Sequence, residues 1–263
     1  MQTKNIKKYI ISFTFSVTAL LFCLAADAQS SRLTMHRPAR NRITQEQLGR
    51  EVSFLSDSLC GGRATGTRGS AEAAFWVARK FAGTGLMKIN DSWSKRVVTE
   101  NGTPGHNIVG FLPGSAKTHP DSYVIVGAHY DHLGTVNGRF FPGADANASG
   151  VAAMTAVADM LATTRSIGRS FSSNIIFVAF DGKEMNMAGS QSLWDMISAG
   201  ELTDPVNGKK ITKDKIAFMV NIDQIGSSLA PINKDRKDYM IMLGTSSLKR
   251  DRRDLLHRCN IEE

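Results

Sequence analysis

Two apolar runs in this chain stop abruptly in residue types that bind metals. The run 124–128 gives way to His129, Asp131 and His132, and the run 174–180 gives way to Asp181, Lys183 and Glu184. Short β-branched runs of this kind read as strands. In an open α/β sheet, ligands and catalytic groups gather just beyond the carboxyl ends of parallel strands. Two such ends therefore predict one shared site. A third run, 217–222, stops at Asp223 in the same fashion. His, Glu and Asp are the nitrogen and oxygen donors that suit Zn²⁺. His129 and Asp131 stand two apart, which lets a carboxylate orient the ring while an imidazole nitrogen faces a metal.

The rest of the chain alternates between strand and helix signals. Helices are predicted over 43–59, with Thr44 as cap and Leu48, Val52 and Leu55 on one side, over 70–85, over 149–162 behind Asn147 and Ser149 as caps, and over 187–198. Strands are predicted over 107–112, 123–128, 174–180, 216–222 and 239–243. That alternation gives an α/β sandwich. The glycine-rich stretch from Gly61 to Gly69 lacks the Gly-Lys-Ser/Thr ending of a phosphate loop and leaves no clear strand, so it reads as a connector. Ser190 lacks the Gly-x-Ser-x-Gly elbow of a serine hydrolase.

The first residues carry Lys4, Lys7 and Lys8, then an apolar run over 9–26, then Ala26-Asp27-Ala28. That order predicts a signal peptide over 1–28, a mature domain over 29–263, and export to the periplasm or the extracellular space. The apolar run is too short for a good membrane span, and no second one follows. Bulky Phe22 precedes Cys23 where a lipoprotein site needs a small residue. The net charge of +8 owes much to 234–237 and 249–253, where acids interrupt the basic residues and no aromatics interleave them. Such runs read as solvated helix faces, and no nucleic-acid partner is expected. Cys60 and Cys259 are too few for a disulfide framework, and spacing alone leaves a single bridge between them open.

Four stretches carry a specific resemblance. His129-Tyr-Asp131-His-Leu-Gly134, Pro142-Gly-Ala-Asp145-Ala146-Asn-Ala-Ser-Gly150, Phe177-Val-Ala-Phe-Asp-Gly-Lys183-Glu184 and Asn221-Ile-Asp223-Gln-Ile-Gly226 follow one another in the order and spacing of the exported di-zinc aminopeptidases. The chain resembles bacterial leucyl aminopeptidase, the peptidase-like part of the transferrin receptor and, more distantly, glutaminyl cyclase. The resemblance implies a three-layer αβα sandwich over a mixed, mostly parallel sheet, zinc as cofactor, and peptide N-termini as substrate. It assigns His129 and Asp223 to one zinc, Glu184 to the other, and Asp131 to orienting the ring. In that family two zinc ions lower the pKa of a shared water and polarise the scissile carbonyl while a carboxylate shuttles the proton.

Three departures stand against that pattern. Ala146 occupies the place of the carboxylate that bridges the two metals, and Asp145 is its neighbouring, weak substitute. Lys183 occupies the place of the general base; a lysine beside zinc has its pKa lowered by like charge, which leaves a neutral amine base as the alternative to a lost proton shuttle. The family's last histidine ligand lies beyond Gly226, and His257, the one later histidine, matches no family motif. The resemblance therefore implies a sandwich lacking its C-terminal part, with one zinc ion or none, and impaired hydrolysis. An inactive scaffold that binds a peptide or partner and a truncated gene product are the alternatives; oligomeric state is not legible. A cyclase-like role is weaker, because the zinc ligand of that branch falls at Ala146.

Overall fold

The structure, a computed structural model that describes residues 43–115, 117, 120–227 and 243, opens on helix α1 (Gln45–Ser56), a tight 3-10 turn (Ser58–Arg63) and helix α2 (Arg68–Gly83). The Thr67 hydroxyl accepts the Ser70 N–H at 3.2 Å, satisfying one of the amides a helix start leaves free. Strands β1 (Met87–Lys88), β2 (Ser94–Val98), β3 (Pro104–Leu112) and β4 (Tyr123–His129) follow. A hairpin of β5 (Gly134–Val136) and β6 (Arg139–Phe141) leads into an irregular π-type turn (Ala144–Ser149) and helix α3 (Gly150–Ser166). The chain continues through β7 (Asn174–Phe180), α4 (Ala188–Ser198) and β8 (Ile216–Asn221).

The main sheet runs β1-β3-β7-β4-β8, with β2 beside β3. Strands β7, β4 and β8 are parallel, whereas β3 meets β7 antiparallel. All seven residues of β7 are buried, and their alternation divides them between two cores. Phe177 and Ala179 pack with Leu55, Val77, Phe81 and Met154 from α1, α2 and α3, while Ile176 and Val178 pack with Leu193 and Ile197 from α4. Side chains on a strand point to opposite faces in turn; a strand covered on both sides must therefore be apolar throughout. The result is an αβα sandwich with a mixed sheet, the fold class read from the sequence.

Local differences have local causes. The first helix stops at Ser56 rather than 59, because the Ser56 hydroxyl turns back onto the Val52 carbonyl at 2.7 Å and the Asp57 carboxylate accepts the Leu59 N–H at 2.8 Å to start the next turn. Of the two expected caps on α3, Asn147 accepts the Gly150 N–H at 3.1 Å, while the Ser149 hydroxyl donates to the Asp145 carbonyl and caps nothing. Cys60 is a free, buried thiol donating to the Phe54 carbonyl at 3.4 Å. Residues 1–28, the strand expected over 239–243 apart from Leu243, the basic clusters, His257 and Cys259 lie outside the described residues. Among the described residues no helix is long and apolar enough to cross a membrane.

Candidate functional site

Strand register assembles the site. His129 pairs with Phe180 across β4 and β7, and Gly127 pairs with Asn221 across β4 and β8. Asp223, two residues past Asn221, therefore arrives level with His129, and the His129 Nε2 lies 3.2 Å from Asp223 Oδ1. The other ring nitrogen, Nδ1, is 3.0 Å from the Asp131 carbonyl oxygen and 3.5 Å from Asp131 Oδ1. Burial alone would pull the His129 pKa down, but the carboxylates of Asp131 and Asp223 outweigh it and the net shift is upward.

Asp131, fully buried, accepts the Glu184 N–H on Oδ2 at 2.9 Å and thereby ties the loop after β4 to the loop after β7. Its Oδ1, like His132 Nδ1, is a buried atom with no hydrogen-bond partner. Glu184 Oε1 lies 3.9 Å from His132 Nδ1 and 2.9 Å from the Lys183 ammonium. Hydrogen bonding to Glu184 raises the Lys183 pKa. Lys183 is thus a cation paired with Glu184.

Asn147 joins the third piece. Its Nδ2 donates to the Ile222 carbonyl at 2.9 Å and to the His129 carbonyl at 3.3 Å, while its Oδ1 accepts the Gln224 N–H at 3.0 Å. Asp145 faces elsewhere: Oδ1 accepts the Gly226 N–H at 2.8 Å and Oδ2 the Ser227 hydroxyl at 2.5 Å. Its carboxylate is hydrogen-bonded within that loop. A cleft of about 210 Å³ opens beside His129, Lys183 and Asp223, with Phe180, Met187 and Met219 as apolar walls.

A layer beneath the site escaped the sequence reading. Asp181, 1% exposed, accepts the Thr65 hydroxyl at 2.9 Å, the His106 N–H at 2.9 Å and the Tyr130 hydroxyl at 3.0 Å. Burial pushes its pKa up, and the bonds from His106 and Thr65 offset part of that. The available signal was Thr65, a polar side chain inside the glycine-rich stretch taken for a connector.

The donor set can be compared with a pair of zinc ions. His129 and Asp223 offer two donors side by side, but Glu184 is engaged by an ammonium, Ala146 has no donor, and no group of three or more His, Cys, Asp or Glu converges among the described residues. The donors among the described residues do not by themselves close around two dications.

A family model for peptidase family M28 matches residues 107–260, a range that takes in all four strand-end motifs. The chain belongs to peptidase family M28. This M28 chain is 29% identical to a probable zinc metalloprotease of Pyrenophora tritici-repentis over 68% of its own length and 40% of that protein's. It is also 29% identical to the aminopeptidase YwaD of Bacillus subtilis over 57% of this chain and 28% of YwaD. It thus spans less than half the length of either relative. Among solved structures it resembles the Legionella pneumophila LapA aminopeptidase (TM-score 0.55, 19% identity, 73% of this chain and 46% of that one) and the Macrostomum lignano glutaminyl cyclase (TM-score 0.54, 20% identity, 73% and 56%). At those identities the M28 chain shares the fold with them.

Proposed function

We propose that this M28 protein is of the aminopeptidase type, keeps the cleft that receives a peptide N-terminus, and hydrolyses peptides poorly or not at all. The observation that carries the reading is the Lys183 ammonium at 2.9 Å from Glu184 Oε1. In this reading Asp223, where no ion occupies it, faces the cationic amine of a peptide, and Phe180, Met187 and Met219 pack against its first side chain. A general base must accept a proton from the attacking water, and an ammonium at that place donates instead. Loss of general acid–base help costs about 10²- to 10⁴-fold. Asp145, held by Gly226 and Ser227, supplies no replacement for Ala146. His129, Glu184 and Asp223 are the proposed zinc-binding positions, filled by one ion at most. Residues 1–28 are proposed to direct export and then be removed.

The test is an assay of aminoacyl-anilide hydrolysis with zinc supplied, run beside calorimetric titration of short peptides with free or acetylated N-termini. Hydrolysis barely above background, with only the free-amine peptides binding, is the expected result. Turnover typical of an active aminopeptidase would sink the proposal, and equal binding of the acetylated peptides would remove the amine-recognition part of it.

A further inference from the structure

The glycine-rich stretch places Arg63 at 0% exposure in the middle of the molecule. Its Nε donates to the Tyr130 carbonyl at 2.6 Å, Nη1 to the carbonyls of Leu55 and, at 2.9 Å, Pro142, and Nη2 to the Gly143 carbonyl at 2.7 Å. Its own carbonyl accepts the His132 N–H at 3.2 Å. Among the described residues no carboxylate lies within ion-pair distance of it and backbone carbonyls take its hydrogen bonds; burial lowers its pKa to about 10, and Cys60 and the Asp131 carboxylate, acting from further off, offset part of that.

A buried charge with no carboxylate in direct contact is costly even when carbonyls accept its hydrogen bonds, and apolar side chains of similar volume commonly serve stability as well or better. What a guanidinium supplies and an alkyl chain does not is a planar fork of donors with fixed directions. Those directions lead to two places. Tyr130 lies between His129 and Asp131, and Pro142–Gly143 opens the turn that carries Asp145, Ala146 and Asn147. Gly143 also accepts the Ala148 N–H at 3.1 Å, so the clamped carbonyl belongs to the turn's own bonding.

We infer that Arg63 is a positioning residue of the site: its guanidinium clamps the loop after β4 to the turn before α3, holding His129 in register with the 145–147 segment. The backbone is bent to place it there. Arg63 itself sits at φ 55°, in the left-handed region that costs a non-glycine residue, and follows Gly62 at φ 70°, where a Cβ would meet the Phe141 carbonyl at 2.4 Å. On the far side of the clamp, Gly143 at φ 63° leaves room for Arg63, since a Cβ there would lie 2.6 Å from Nη2 and 2.6 Å from His132 Cδ2. The clamp concerns where side chains stand and holds whether or not the site turns over a peptide.

Two variants load the clamp from opposite sides. Arg63→Lys keeps the charge and loses the fork; Gly143→Ala keeps the arginine and crowds it. Ile197→Ala, in the core on the other face of the sheet, controls for general destabilisation. Hydrogen exchange of the His132 and Ala148 amides and the ¹⁵N resonances of the His129 ring are compared with amides of Ile125 and Ile176 in β4 and β7. Both clamp variants are expected to lose about tenfold or more protection at His132 and Ala148 beyond any loss at the strand amides, and to shift the His129 resonances. The control should lower protection everywhere and leave His129 in place. Uniform loss across strands and loops, or His129 resonances unmoved in both clamp variants, would overturn the inference; should Arg63→Lys fail to fold, Gly143→Ala decides it by the same two readings.

Discussion

Lys183 and Glu184 are neighbours in sequence, yet their roles separate at atomic resolution: Glu184 is oriented by its N–H bond to Asp131, and Lys183 sits on its carboxylate. Restoring a carboxylate at 183 alone adds negative charge beside Asp223 and Asp131 with no new donor at 146 to complete the set. Ala146→Asp with Lys183→Glu is therefore predicted to raise zinc uptake above that of the native chain more than either change alone, as read by metal analysis after dialysis. If the double variant takes up no more zinc than the native chain, residues 146 and 183 are not what limits the site. His129, Glu184 and Asp223 were legible in the sequence because each ends or follows a strand, and strand ends can be read from apolar runs. Arg63 was not legible. Apart from the Leu55 carbonyl, its partners are carbonyl groups 67 to 80 residues away, and carbonyls carry no residue-type signal.

The strands that carry those ends were equally readable, because β4 and β7 are buried on both faces and leave continuous apolar runs. Strands β1, β2 and the β5–β6 hairpin went unpredicted: β1, β5 and β6 are only two or three residues long, and β2 opens on three polar residues, Ser94, Lys95 and Arg96. The parallel strands also pack more tightly than an apolar pattern reveals. At Gly127, in the middle of β4, an added Cβ would lie 2.4 Å from the Phe180 ring and 3.2 Å from Met219 Cε, both walls of the cleft. Gly127→Ala is accordingly expected to lose about 1–3 kcal/mol of stability by overpacking, measured by denaturant unfolding. An unchanged midpoint would mean that Phe180 moves aside freely and that the cleft wall is soft.

Across the whole molecule, the end of β4 opposite His129 carries a second buried polar cluster. The Tyr123 hydroxyl, at 0% exposure, donates to Asp204 Oδ2 at 2.9 Å. Burial first, and then the Asp204 carboxylate, raise its pKa well above the ordinary value near 10. The folded chain then keeps a proton that the unfolded chain loses above that pH, so the folded state binds more protons and stability falls as pH rises through the window. Tyr123→Phe is predicted to cost about 1–2 kcal/mol at neutral pH, because Asp204 Oδ2 keeps only the long bond from Asn174 at 3.4 Å, and to lose stability less steeply than the native chain above pH 10. Parallel thermal melts across that range check it; identical slopes would contradict it. Fold and family agree at this scale, and the account departs from an active zinc peptidase only in the chemistry of a few side chains. Zinc content of the purified, folded protein tests that departure most directly. Fewer than two equivalents per chain after equilibration with excess zinc and dialysis is the predicted result; two tightly held equivalents would contradict it.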